Sequence, residues 1–170
     1  MKKGKHIQYY VEGEDEKKLV DTLKTNLRLI EPGKTDIFNT IQKRFTLAQI
    51  RPLKQNTIVV LVYDTDVEET DILQQNISFL NKQKAISEVL CIPQVNNLED
   101  ELLRSCQIKK ITDLTHSPSL KDYKRDLIKC SNLNIRLQKC KFDITKFWSS
   151  TPSNLFHHWG NDAHKIKLLK

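Results

Sequence analysis

The longest apolar run in the chain, Ile58-Val-Val-Leu-Val-Tyr63, has no polar alternation and stops at Asp64. It is strand-sized, far short of the roughly 20 residues that cross a bilayer. An unalternating Val/Ile/Leu strand is one covered on both faces, the setting of a parallel sheet between helices. Parallel neighbours need crossover connections, so the flanking sequence should alternate strands with helices.

It does. His6-Ile-Gln-Tyr-Tyr-Val11 is aromatic and β-branched and reads as a first buried strand, ended by Glu12-Gly13. From Glu14 the period changes: Leu19, Val20, Leu23 and Leu27 fall on one helical face, with Glu14, Asp15 and Glu16 in a first turn that favours acids. Glu31-Pro-Gly-Lys34 breaks this helix; Thr35–Asn39 reads as a short strand and Thr46–Leu53 as a helical turn. After the 57–63 strand, Ile72, Leu73, Ile77 and Leu80 mark a helix over about 68–84. Glu88–Ile92 is a fourth strand stopped by Pro93, and Asn97 is placed to cap a helix. Beyond residue 107, Leu120–Lys129 and Leu133–Leu137 read as helices, and Phe142–Trp148 as helix or edge strand. The expected architecture is α/β with a mostly parallel sheet.

At 170 residues, with 38% hydrophobic and 29% charged side chains, the chain can form one core and lacks the composition of disorder. The basic start, Met1–Lys5, precedes an apolar stretch too brief for a secretory signal, so a cytoplasmic protein is expected, with no membrane partner. Cys91, Cys106, Cys130 and Cys140 lack C-x-x-C spacing and read as reduced thiols.

The net charge of +7 is unevenly distributed: residues 1–101 carry 14 basic and 16 acidic groups, residues 102–170 carry 14 and 5. A basic second half points to a polyanion, most commonly nucleic acid, although a solvated lysine-rich face has the same composition. Lys109, Lys110, Lys121, Lys124 and Arg125 are candidate phosphate contacts, interleaved with Tyr123, Phe142, Phe147 and Trp148, which either pack in the core or stack on unpaired bases. His157, His158 and His164 suit a surface or capping role better than a metal or base role.

Acidic groups gather where strands end: Glu12, then Asp64 and Asp66, then Glu99, Asp100 and Glu101. Alternate residues of an extended segment point the same way, so Asp64 and Asp66 can face one space. Converging carboxylates suit a hard divalent cation such as Mg²⁺, which keeps waters and accepts phosphate oxygens. An Asp-x-Asp loop can also simply cap its own backbone. Gly13 directly after Glu12 is read as permitting a tight turn and close approach of a phosphate or metal.

Val11-Glu12-Gly13 with Glu16, followed about fifty residues on by a hydrophobic strand ending in Asp64-Thr65-Asp66, resembles the Toprim domain of topoisomerases, bacterial primases, OLD-type nucleases, RecR-like repair proteins and the ribonuclease that matures 5S ribosomal RNA. The likeness spans roughly residues 5–105. It implies a Rossmann-like sheet domain over 1–110, with 111–170 a basic helical extension packed on it. By resemblance, Glu12 is a metal ligand or general acid/base, Asp64 and Asp66 are metal ligands, and Glu16 either binds a second metal or sits in its helix. OLD-like and RloB-like nucleases carry a further acid after the next strand; Asn96-Asn-Leu-Glu99 is similar, with Asp100 and Glu101 as rivals, although Leu98 stands where such nucleases often have Phe. Lys165 or Lys167 is the candidate cation against a scissile phosphate.

The chain has neither the nucleophilic tyrosine domain of a topoisomerase, nor a primase zinc domain, nor a G-x-x-x-x-G-K-[ST] motif. The resemblance therefore implies a small stand-alone Toprim nuclease, dependent on Mg²⁺ or Mn²⁺, cutting RNA or DNA. Its setting would be a bacterial or phage defence system with an ATPase or another partner of that system, and a homodimer is the oligomer it suggests. The alternatives are an RNA-maturation ribonuclease and a non-catalytic RecR-like module that binds nucleic acid or a protein.

Overall fold

Four parallel strands run in the order β2-β1-β3-β4 in the computed structural model, which describes residues 4–168. They are β1 (His6–Val11), β2 (Lys34–Ile37), β3 (Thr57–Asp64) and β4 (Ile86–Gln94). β3 is paired on both sides, Val60 standing opposite Tyr9 on one and Leu90 on the other. Its residues 59–63 are wholly buried, which is why the segment needs no polar alternation.

Alternate strand residues feed two cores. On one face Tyr9, Val11, Val60, Val62 and Ile92 pack with residues of α1 (Glu14–Asp21), α4 (Leu98–Ser105), α6 (Leu120–Lys129) and α7 (Leu133–Lys139). On the other, Tyr10, Val59, Leu61 and Tyr63 pack with Phe45, with Ile50 of α2 (Leu47–Ile50), and with Leu73 and Leu80 of α3 (Asp71–Asn81). The chain is thus an α/β sheet protein of Rossmann-like layering, with helices on both faces. From β1 the chain crosses to β2 on the α1 face, then passes over β1 on the other face to reach β3. The reversal leaves a topological switch point between the carboxyl ends of β1 and β3, the place where such sheets bind ligands.

Several elements differ from the sequence pattern. α1 continues as a π-helical turn, Thr22–Asn26, where Leu27 N–H reaches Thr22 O at 3.0 Å. The Thr22 hydroxyl donates back to Lys18 O at 2.8 Å, competing with the regular ladder. β4 does not stop at Pro93, which lies opposite Tyr63 with the strand continuing to Gln94. An edge strand tolerates a missing N–H. Phe142–Trp148 is neither helix nor edge strand but a run of turns begun by Asp143, whose carboxylate accepts from Thr145 N–H at 2.9 Å.

The basic second half shares the sheet's core. Besides α6 and α7 it contributes α5 (Thr112–Thr115) and two 3₁₀ turns, Leu155–Trp159 and Ala163–Lys165. The outer edge of β4 is capped by Asp162, whose N–H donates to Cys91 O and whose carboxylate accepts from Cys91 N–H, both at 2.9 Å. Ile30 bridges Lys167 in antiparallel fashion. All four cysteines are free. No helix among the described residues is long and apolar enough to cross a membrane.

Gly33 shows where packing forbids a side chain: a Cβ there would stand 2.3 Å from Ile7 O, in backbone that cannot swing away. Gly33→Ala is therefore expected to lower unfolding free energy by about 1–3 kcal/mol in urea denaturation, whereas Gly4→Ala, with nothing within 4 Å, should leave the midpoint unchanged.

Candidate metal centre

The switch point holds carboxylates. Glu12 follows the last residue of β1 and Asp64 ends β3, so pairing of the two strands brings both acids to one edge. Glu12 Oε1 accepts the Asp64 N–H at 3.1 Å. Glu16 reaches the same space from the first turn of α1. One ligand oxygen each from Glu12, Glu16 and Asp64 lies within 4.8 Å of the others, a hard-oxygen set of the kind that holds Mg²⁺ or Mn²⁺. Asp15 is buried beside them.

The chain bends sharply at Glu12 and Gly13 between β1 and α1, but the turn does not draw on glycine's backbone freedom. The Gly13 φ of −152° is extended backbone open to any residue. What its missing side chain provides is room: a Cβ would stand 3.1 Å from Asp15 Oδ1 and 3.2 Å from Glu16 Oε2.

The carboxylates are costly to charge. Burial, reinforced by the hydrogen bond and charge of Asp15, pushes Glu16 up to about 10. Burial and the negative charge of Glu12 push Asp64 up to about 8, against a lowering by the Gln94 hydrogen bond. Glu12 is raised by burial and by Asp66 and Asp15, with the Asp64 N–H pulling the other way. Removing carboxylates from water and crowding them disfavours ionisation on both counts.

Asp66 is exposed and outside the tight trio, yet its charge acts on both Glu12 and Asp64. Thr65 between them turns inward, its hydroxyl donating to Gln94 O at 2.9 Å and accepting from Asn96 N–H at 3.0 Å. Glu99 is also outside the trio but acts on Asp64 electrostatically. Its two rivals are occupied elsewhere. Asp100 accepts from the Asn96 side chain at 2.5 Å. Glu101 is fully buried, pairs with Arg104 at 2.9 Å and accepts the backbone N–H groups of Val95 and Trp148 at 2.9 and 3.0 Å.

Of the seven candidate phosphate contacts, the structure brings Lys124 to the cluster. α6 lies against α1 and sets Lys124 Nζ 4.0 Å from both Asp15 Oδ2 and Glu99 Oε1. Burial would lower the Lys124 pKa, but the surrounding Asp15, Glu99, Glu16 and Asp64 raise it, so it stays charged. Lys109, Lys110 and Lys121 are exposed, and Arg125 pairs with Asp122 and Asp126 at 3.0 and 3.5 Å. Lys165 pairs with Glu88 at 2.8 Å and Asp162 at 3.6 Å, and Glu88 lies six residues before the carboxyl end of β4, roughly 20 Å along the strand. Lys167 donates to Phe147 O. Neither is brought to the carboxylates.

Gln94 and Asp15 are not singled out by the sequence, and Tyr123 reads there only as a core or base-stacking aromatic. Gln94 Nε2 donates to Asp64 Oδ1 at 2.7 Å, while its own Oε1 accepts from Trp148 Nε1 at 3.2 Å, so a buried amide fixes one oxygen of Asp64. Asp15 Oδ2 and the Tyr123 hydroxyl are buried with no hydrogen-bond partner among the described residues. Burial, then Glu99, Asp15 and Glu16, raise the Tyr123 pKa far above the ordinary range. The signal for Gln94 was masked by Pro93; Asp15 looked like any acid in a first turn.

Comparison with protein-family models, curated proteins and solved structures returns no match.

These acids hold protons more tightly folded than unfolded. Their contribution to stability is complete below about pH 4 and is lost as pH rises through about 8 for Asp64 and about 10 for Glu16. In EDTA, Tm should fall as pH rises over this window, and Asp64→Asn should flatten part of the slope. Mg²⁺ or Mn²⁺ should bind with release of protons, measurable by calorimetry in buffers of different ionisation enthalpy, and should raise Tm more near pH 8 than near pH 6.

Proposed function

We infer that the chain is a Toprim-type, divalent-metal-dependent phosphodiesterase that hydrolyses RNA or DNA. The observation that carries this reading is the convergence of Glu12, Glu16 and Asp64 at the β1/β3 switch point. The Val11-Glu12-Gly13 and Asp64-Thr65-Asp66 resemblance supports it.

In this reading Glu12, Glu16 and Asp64 hold Mg²⁺ or Mn²⁺, with Asp66 and Glu99 completing the acidic rim. A bound divalent ion supplies Lewis acidity and a water of lowered pKa beside a phosphodiester. The chain's own groups do the rest. Gln94 holds Asp64 in one rotamer, so the ligand oxygen is placed before the substrate arrives. Glu12 is restrained by the Asp64 N–H, and its carboxylate would either hold the ion or serve as the base that takes a proton from water. Lys124 offsets the negative charge of a phosphate brought to the acids, the role that the sequence had assigned to Lys165 or Lys167.

Purified protein should cut at least one of labelled tRNA, single-stranded RNA, plasmid or single-stranded DNA in Mg²⁺ or Mn²⁺ and none in EDTA. Asp64→Asn and Glu12→Gln should each reduce the rate by more than about 100-fold, and Gln94→Leu by about 10- to 100-fold through its hold on Asp64. Cleavage that survives Asp64→Asn would overturn the reading. Nucleic-acid binding without cleavage by the wild-type protein in every metal would favour the RecR-like module instead.

A further inference from the structure

Two segments of the basic second half border the carboxylates. On the α1 side is α6, presenting Lys124 with Lys121 and Arg125 exposed on the same helix. At the loop bearing Asp64 and Asp66, the side-chain amide of Asn154 donates to Thr65 O at 2.8 Å, and Asn154 Oδ1 accepts the Phe156 N–H at 3.1 Å. Phe156 is fully buried, its ring 5.7 Å from that of Tyr63. The turn Leu155–Trp159 is therefore fastened both to the acidic loop and to the core beneath it.

A turn fixed so firmly would ordinarily bury its apolar groups. This one leaves Leu155 63% exposed and His157 and His158 exposed, while Trp159 is half-buried with its ring edge-on to His158 at 5.1 Å. By contrast Tyr123, Phe147 and Trp148 are fully committed to the core, so they offer no face to a ligand. The carboxylate site thus has cations on one flank and, beside its acidic loop, an anchored turn that exposes Leu155 and His158 and the free part of Trp159, whose other part packs on the α3-side core.

We propose that this surface is a base platform and that the site takes an unpaired nucleic-acid strand. Its phosphates lie along the α6 cations and the metal, and one or two bases rest on Leu155, His158 and Trp159. The charges match the backbone of such a strand, and the platform matches base faces, which a duplex keeps stacked inside itself. The proposal rests on the reading of the acidic site as the place where a phosphodiester binds.

The test is binding by the full wild-type chain, measured by fluorescence anisotropy in Ca²⁺, a hard cation that takes the same oxygen ligands but supports hydrolysis poorly, with a labelled single strand and a hairpin duplex of the same sequence, each as RNA and as DNA. The single strand should bind at least about tenfold more tightly. The double substitution Leu155→Ser, His158→Ala should weaken single-strand binding by about 5- to 150-fold while leaving duplex binding and Tm unchanged. Single-strand binding should also quench Trp159 fluorescence, a signal absent from Trp159→Phe. Equal affinity for strand and duplex, or single-strand affinity unchanged in a double variant of wild-type Tm, would overturn the proposal. If the wild type cuts nothing yet prefers the single strand through these residues, the nuclease reading fails and the platform stands; if it cuts duplex in preference, the platform fails and the nuclease reading stands.

Discussion

Repulsion among buried carboxylates is the constraint around which the carboxyl edge of the sheet is organised. Glu12, Asp15, Glu16 and Asp64 share a space partly removed from water, where like charges reinforce each other's reluctance to ionise. A fold tolerates such a group only if its backbone is over-determined nearby. Here β1 and β3 are adjacent, paired and buried, and Asp64 is further tied to Glu12 through its N–H and to Gln94 through its side chain.

The bracing comes from far along the chain. Gln94 can orient Asp64 because Trp148 donates to its other end, and Trp148 is itself held by Glu101. Glu101, although acidic and close to the strand ends, is a structural hub: two backbone donors and Arg104 satisfy it, the condition under which a fully buried charge is tolerated. Lys124 enters from a different helix again. The basic half is therefore part of the construction of the acidic edge, contributing a cation, an indole and the cap of β4.

The parallel sheet, its order along the chain, and the carboxylates at the ends of β1 and β3 were legible from the sequence. Hydrophobic run length and the change from strand to helix period are local properties, and an acid directly after a buried strand has few places to go. Gln94 was hidden because Pro93 read as a terminator, when an edge position neutralises its missing donor. On sequence Lys165 reads as the cation at the scissile phosphate and Lys124 only as a phosphate contact; which one meets the acids is decided by the docking of α6 on α1 and by Glu88 and Asp162 taking the other, pairings that no local pattern encodes. The turns of 142–148 and the 3₁₀ segments were equally opaque, since they follow tertiary anchors such as Asn161, whose side chain donates to Trp148 O and Ser150 O.

The cap on β4 bears on the order in which the protein comes into being. Cys91 meets Asp162 across 71 positions and Gln94 meets Trp148 across 54. At synthesis rates of about 5–20 residues per second, Asp64 is added on the order of 5–20 seconds before Asp162, and Glu12 on the order of 8–30 seconds before it. During that interval the sheet has an open edge and Asp64 lacks its oriented amide. The acidic edge therefore gains its oriented amide only after Trp148 has been made, long after the strand ends that carry the acids.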